Sequence, residues 1–285
     1  MNGDSASPRS LDEAVACLAR VRGVRLVAGC TDVMLPGACH EAQAAPVMNL
    51  LRIPELRGIT SDARAFRIGA TTTFAQLRQH DEIRRSLPLL ADAAGVVGGW
   101  QIQTRATVGG NIANASPAGD SLPVWLVLDA AVVVTGPEGP RTIPYSDVHV
   151  DYRRTALRPL EVIGWVDVPR PRGETRFLFR KVGARQALAI AKVVVAGAVT
   201  LVDGAIATVR LAAGSVAPIP IRLTQVEEFL SGRRPSADVA EEAGRLAAAG
   251  VHPVDDVRSS AAYRAHVLGR LFSRFVLNLA APDTQ

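Results

Sequence analysis

Ala106-Thr107-Val108-Gly109-Gly110-Asn111-Ile112-Ala113-Asn114-Ala115-Ser116-Pro117-Ala118-Gly119-Asp120 is the stretch on which the reading of this chain turns. It sets small polar residues between apolar runs, too polar for a core segment and too ordered in pattern for a linker. Gly109 and Gly110 lack a Cβ, so a ligand can approach their backbone closely. Asn111, Asn114, Ser116 and Asp120 add a dense set of donors and acceptors. A tight turn whose Asn and Ser residues satisfy their own backbone would account for the same residues. A second glycine segment upstream favours a site: Val24 to Ala28 reads as a strand running into Gly29-Cys30-Thr31-Asp32 and on to Val33-Met34-Leu35-Pro36-Gly37. A strand that ends in a glycine turn suits a pyrophosphate held by backbone N–H groups. No Gly-x-Gly occurs anywhere, so the usual dinucleotide fingerprint is absent.

Around these segments lie 285 residues, 48% of them hydrophobic, enough for two domains with their own cores. No unbroken apolar run is long enough to span a membrane. Met1 to Arg9 lacks the apolar region of a secretory signal, which points to the cytoplasm. Cys17, Cys30 and Cys39 match no metal or disulfide spacing, so neither an iron–sulfur cluster nor another metal site is expected on this chain. The net charge of +5 comes from dispersed arginines, without the aromatic-studded basic block of a nucleic-acid binder. Lys181 and Lys192 are the only lysines, a placement that hints at a need for a compact ammonium. His40, His80, His149, His252 and His266 are scattered and read as surface or helix residues.

Taken in order, Ser10 caps a helix from Leu11 to Arg20. Strands follow at Val24 to Ala28 and Pro46 to Leu51, then a hairpin over Ile59 to Ala70. Helices are expected at Thr73 to His80, Pro88 to Val97 and Leu122 to Leu128, and strands at Ala130 to Thr135 and Val162 to Val166. Pro169-Arg170-Pro171-Arg172-Gly173 interrupts both periodicities and marks a domain boundary. Beyond it come strands near Arg176 to Lys181, Lys192 to Val202 and Ala205 to Ala212, the last two joined by Asp203-Gly204. Helices close the chain at Gln225 to Leu230, Ala237 to Ala249 and from Ser259-Ser260 onward. In that last helix Tyr263, Val267, Leu271, Phe275 and Leu279 form an apolar stripe, widened by Leu268 and Val276, that Arg264, Arg270 and Arg274 largely avoid.

Val27 to Asp32 together with Ala106 to Asp120 resembles the paired FAD-binding segments of the flavoprotein subunit of molybdenum hydroxylases, the xanthine dehydrogenase and carbon monoxide dehydrogenase family. Phe179 to Ala191, Val216 to Arg222 and Asp256 to Arg264 agree with it in the family's order, so the resemblance covers nearly the whole chain. It implies an α+β fold. A two-lobed PCMH-type FAD-binding domain would occupy residues 1–170, with subdomains of about 1–54 and 55–170. A C-terminal domain of a three-stranded antiparallel sheet with a helix bundle would occupy residues 171–285.

On that mapping Leu26, Val27, Ala28, Gly29, Cys30, Thr31, Asp32 and Val33 cradle the pyrophosphate. Gly110 and Asn111 add backbone and amide contacts, and Thr107, Asn114 and Ser116 complete the polar wall. Asp120 accepts from a hydroxyl of the adenosine part, Val97 and Ile163 supply apolar contact, and Lys181 stands near the flavin ring. The family most often has glycine where this chain has Cys30. Either the backbone there takes an ordinary conformation, or flavin is held more loosely.

The resemblance further implies an oxidoreductase subunit that receives electrons from an iron–sulfur partner and passes them through FAD to NAD, a quinone or oxygen. The molybdopterin cofactor would sit on a large subunit and the 2Fe-2S clusters on a small one, in a heterotrimer that can itself dimerise. A stand-alone FAD-dependent oxidoreductase and a scaffold subunit without flavin are the alternatives. No side chain stands out as an acid–base catalyst, and neither nucleic acid nor a membrane span is expected.

Overall fold

The computed structural model describes residues 5–35 and 45–280. Of the residues singled out above, Pro36, Gly37, Cys39 and His40 lie outside that range, as does the start of the N-terminal tail.

The small lobe begins with helix α1 (Leu11–Arg20), whose cap Ser10 accepts from the Glu13 amide at 3.1 Å. Strands β1 (Arg25–Val27) and β2 (Val47–Asn49) pair in parallel. Ala14, Leu18, Met48, Leu50, Ile53 and Leu56 form its core, joined by Val162 from the larger lobe.

The larger lobe is built on an antiparallel sheet in the order β3-β4-β9-β5-β6, from β3 (Ile59–Ser61), β4 (Ala65–Gly69), β5 (Ala131–Gly136), β6 (Gly139–Pro144) and β9 (Val162–Pro169). A small hairpin, β7 (His149–Asp151) and β8 (Arg154–Thr155), lies between β6 and β9. Six helices fill the connection between β4 and β5: α2 (Phe74–Gln79), α3 (Asp81–Ser86), α4 (Pro88–Val96), α5 (Trp100–Gln103), α6 (Val108–Asn114) and α7 (Leu122–Val127). The central stretch, read from sequence as a loop, is therefore largely helical. Thr107 caps α6, Val108 and Ile112 bury one face of it, and Ala115 ends it at φ 49. Val108 and Ile112 stand one helical turn apart, an apolar signal that the glycines between them hide.

Beyond Pro169 a second antiparallel sheet runs in the order β10 (Thr175–Val182), β11 (Val193–Val202), β12 (Ala205–Gly214) and β13 (Ile221–Arg222). It has four strands rather than three, the fourth being a two-residue edge. Helices α8 (Thr224–Leu230), α9 (Ala237–Ala249) and α10 (Ala261–Ala280) cover one face. The buried face of α10 follows the Leu268 and Val276 side of the expected stripe, with Phe275 and Leu279, and adds Gly269 and Phe272. Gly269 lies on this face: a Cβ on it would stand 2.6 Å from the Gly244 carbonyl oxygen of α9, so the two helices touch at their glycines. Tyr263 lies outside at 43% exposure, whereas Arg264, expected off the stripe, is buried. Arg264 donates to the carbonyls of Lys192 and Ser215, each at 3.0 Å, and to Asp256 at 2.7 Å.

The other face of this sheet does not face water. Ala196 and Ala212 belong to the core of the larger lobe, with Phe177 and Phe179 packed against it. Arg210 and Arg222 fasten the junction by donating to the Val127 carbonyl at 2.8 Å and to Asp129 at 3.1 Å. No helix among the described residues is long and apolar enough to cross a membrane.

Candidate functional site

Strand β1 delivers the first glycine segment to the edge of the small lobe. Gly29 is required by contact: a Cβ there would fall 1.9 Å from the Arg105 carbonyl oxygen, so the two segments of the site abut through this residue. Cys30 follows at φ 60, in the left-handed region that glycine takes without strain. The conformation expected of glycine is thus kept despite the side chain, and the ordinary conformation is not adopted. The Met34 amide donates to the Cys30 carbonyl at 3.1 Å and closes the turn. Inside it, the amides of Gly29, Cys30, Thr31, Asp32 and Val33 donate to no group among the described residues. Consecutive amides around a left-handed residue form a concave set of donors with affinity for anionic oxygen.

The second segment differs. The amides of Val108 and Gly109 donate to the carbonyls of Thr72 (3.0 Å) and Ala70 (2.8 Å). Those of Gly110 and Asn111 turn back to the Thr107 hydroxyl (3.2 Å) and carbonyl (2.9 Å). Its first amides are therefore already used within the fold. Gly109 is needed for packing, since a Cβ would stand 2.7 Å from that of Ala70. The side chains are fixed as well. Asn111 accepts from the Ser121 hydroxyl at 2.7 Å, which in turn accepts from the Trp125 indole at 3.3 Å. Arg153, at the tip of the small hairpin, donates to Asn114 at 3.3 Å and stands 3.9 Å from Asp32, so it bridges the two segments.

Between the segments lies a cavity of about 420 Å3. Leu26, Val27, Ala28, Gly29, Cys30, Thr31, Asp32, Val33, Val97, Thr107, Gly110, Asn111 and Asn114 line it together with Arg25, Ile102, Ala106 and Ala113. The other candidates stand elsewhere. Ser116 lines a neighbouring cavity beside Tyr152 and Arg153, and Ile163 is buried within β9. Lys181 is not free but donates to Asp120 at 2.7 Å and to the Val96 carbonyl at 2.9 Å, with both side chains of the pair almost fully covered. The other Asp120 oxygen has no partner among the described residues. Burial pushes the Asp120 carboxyl up to about 6, with Lys181 opposing that rise.

Sequence reasoning passed over Arg153, which sits in Tyr152-Arg153-Arg154 with nothing to distinguish it from the many other arginines. It also misplaced His149, which is buried beneath α6 with its Nε2 at 3.1 Å from the Ile112 carbonyl, and which burial holds below the usual histidine range. His80 is not idle, since its ring nitrogen accepts from the Ile83 amide and caps α3.

A two-lobed α+β unit with an anion-seeking turn in its cleft, backed by a sheet-and-helix domain, defines a class of nucleotide-cofactor proteins. Comparison with known proteins narrows that class. Residues 2–171 match the family described as FAD binding domain in molybdopterin dehydrogenase, and residues 179–279 match the CO dehydrogenase flavoprotein C-terminal domain. The carbon monoxide dehydrogenase medium chain of Hydrogenophaga pseudoflava is 30% identical over 278 residues, 96% of this chain and 95% of that one. The xanthine dehydrogenase FAD-binding subunit of Escherichia coli O157:H7 is 29% identical over 274 residues, 95% and 94% of the two chains. Among solved structures, carbon monoxide dehydrogenase from Hydrogenophaga pseudoflava lacking the Mo-pyranopterin moiety superposes with a TM-score of 0.92 at 29% identity, covering 98% of this chain and 97% of that one. The chain belongs to the FAD-binding subunits of the molybdenum hydroxylase family, and it is an oxidoreductase subunit.

Proposed function

We propose that this chain binds FAD in the cleft between its lobes and passes electrons from an iron–sulfur partner to an external acceptor. The observation that carries the reading is the run of unspent amides from Gly29 to Val33 on the wall of a cavity closed opposite by Thr107, Asn111 and Asn114. That donor set fits a diphosphate, and the apolar Val97 and Ile102 on the same wall fit a ring. FAD, when bound, supplies a centre that exchanges electrons singly or in pairs. The chain's own residues position and insulate it: Gly29 to Val33 orient the diphosphate, Arg153 ties the two walls, and Lys181 acts through a charge already paired with Asp120.

The partners in this reading are a molybdenum-cofactor large subunit and a 2Fe-2S small subunit, assembled in the cytoplasm as a heterotrimer, singly or dimerised. The acceptor is NAD, a quinone or oxygen. The FAD-binding part ends near residue 170 and the C-terminal part begins at 171, supported by the Pro169 to Gly173 break and the change of sheet there. The test is to purify the chain, record its visible spectrum and identify the released cofactor by chromatography. FAD near one per chain is the expected result. A folded, colourless chain that also takes up no added FAD would replace this reading with that of a scaffold subunit.

A further inference from the structure

A cavity of about 660 Å3 opens where the two domains join, at the Pro169 to Gly173 crossing. None of the residues that line it lines the FAD cleft. Its floor follows from the register of the C-terminal sheet. The face that β10, β11 and β12 turn to the larger lobe is built of cross-strand rungs: Phe179, Ala196 and Ala212, then Phe177, Ala198 and Arg210, then Thr175, Thr200 and Thr208. The first rung packs into the core of the larger lobe, and the second and third line the cavity. Apolar side chains thus give way to hydroxyls where the domains part. Directly paired side chains on a sheet stand about 5 Å apart, so one small ligand can touch neighbours in a rung. The hydroxyls are barely engaged. Thr175 reaches the Thr200 hydroxyl and the Arg172 carbonyl at 3.4 Å each, and the Thr208 hydroxyl has no partner among the described residues.

The opposite wall is cationic, and there the pairing of β4 with β9 decides the geometry. Ala65 pairs with Pro169, and one step on the Arg170 amide donates to the Arg64 carbonyl at 2.9 Å, so these two arginines stand directly across from each other. Side chains so placed share a face, and like charges there repel unless a counter-charge joins them. Arg170 is pinned, with its guanidinium 4.2 Å over the Phe66 ring and donating to the Asp62 carbonyl at 2.6 Å and to Glu82. Arg64 has no such anchor: its side chain forms neither hydrogen bond nor ion pair among the described residues, and the same holds for Arg172 on the crossing. Asp62, in the turn beside them, spends one carboxylate oxygen on the amides of Arg64 and Ala65 at 2.7 and 2.9 Å. Asp129, the one acid on the wall among the described residues, is held by Arg210 and Arg222 at 3.1 Å each.

From this juxtaposition we propose that the cavity is an anion site at the domain junction. It takes a small ligand with several carboxylate or phosphate oxygens and no large apolar part, held by Arg64 and Arg170 from the FAD-binding domain and by the hydroxyls of Thr200 and Thr208 from the C-terminal domain. Guanidinium groups match the geometry of both oxyanions, and threonine hydroxyls donate to the oxygens left over. A ligand that touches both domains binds the folded chain alone and therefore stabilises it. The site is separate from the FAD cleft and does not depend on what fills that cleft.

The test is calorimetric titration of the full chain with pyrophosphate and with citrate, in excess FAD, against sodium chloride of equal ionic strength, with thermal unfolding measured alongside. At least one of the two anions binds at one per chain and raises the unfolding midpoint, while chloride does neither. Preference for citrate marks a polycarboxylate ligand, and preference for pyrophosphate marks a phosphate compound. Arg64→Glu, and Thr200→Val with Thr208→Val in one chain, each weaken that binding about tenfold or more while the visible flavin spectrum stays unchanged. Arg64 and Thr208 are exposed and valine suits a strand, so both variants keep the fold. Absence of heat beyond chloride with both anions overturns the proposal, as does binding that neither variant weakens, which would put the anion elsewhere. Poly-L-glutamate binding where the small anions do not would overturn it too, in favour of a docking surface for an acidic protein segment. Visible absorbance reports the cleft separately, so a chain that takes up no FAD sinks the FAD reading and leaves the two variants to decide on this cavity.

Discussion

The two glycine segments that meet in the cleft look alike in sequence and differ in what they leave available. In the first, Gly29 to Val33 keep their amides unspent and Cys30 holds a left-handed backbone against its own preference. In the second, Thr107, Thr72 and Ala70 consume the leading amides of α6, and Asn111 and Asn114 are already bonded to Ser121 and Arg153. One segment packs through Gly29 yet leaves its backbone donors open, while the other spends its own on the fold. A glycine pair by itself therefore does not distinguish backbone that must reach a ligand from backbone that must pack against a neighbour.

The comparison can be broken most directly at Gly29. Gly29→Ala drives a methyl into the Arg105 carbonyl, where neither partner is a movable side chain. It should abolish FAD uptake and cost about 3 kcal/mol or more of stability, as read by flavin stoichiometry and denaturant unfolding. Retained flavin would mean that the segments need not touch.

Next in size is Lys181→Met, which strands a buried carboxylate at the end of the second segment. About 3 kcal/mol should be lost at neutral pH, and Asp120→Asn placed in the same chain should restore most of it. If the double variant is no better than the single one, the pair does not hold this segment.

A pH series refines the same point. The folded Asp120 carboxyl, at about 6 against an ordinary 3.8, binds its proton more tightly than the unfolded chain does. Its contribution to stability is therefore greatest below pH ~4 and falls as pH rises to ~6, by an amount on the order of 2–3 kcal/mol. Unfolding free energies of the native chain minus those of Asp120→Asn should decline across that window and level off above it. A difference that stays constant would show the pair ionised throughout.

The smallest effect belongs to Cys30→Gly. Relief of the left-handed side chain should stabilise the chain by about 1 kcal/mol without weakening FAD. A drop in flavin affinity would give the thiol a part in binding.

Most of the architecture was legible because its signals are local. Ser10 before Leu11, Pro169 to Gly173, and Asp203-Gly204 each announce an element's end through their own backbone chemistry. What escaped was set by contacts between distant residues. The close approach of α10 to α9 follows from Gly269 meeting Gly244, and the burial of Arg264 from carbonyls on two other elements. The helical character of Val108–Asn114 was masked by glycine and asparagine, poor helix formers that tertiary packing overrides. In the site, the residues of the first segment came together in the cavity because they are contiguous. The pairing of Lys181 with Asp120, across the two sheets' domains, left no trace in either local sequence.

The sheet β10–β12 carries a core on each side: Ala196 and Ala212 look toward the larger lobe, while Val195, Leu211 and Ala213 look toward the helices. Such a wall has no spare face, and this bears on inheritance as much as on folding. Two regions that answer to separate family descriptions share one partition, so neither can be exchanged for a homologue's version without matching the alanine pattern of the other. Recombination between relatives should fail at Pro169 to Gly173, where sequence alone would place the cut, unless the partition travels with the lobe it completes.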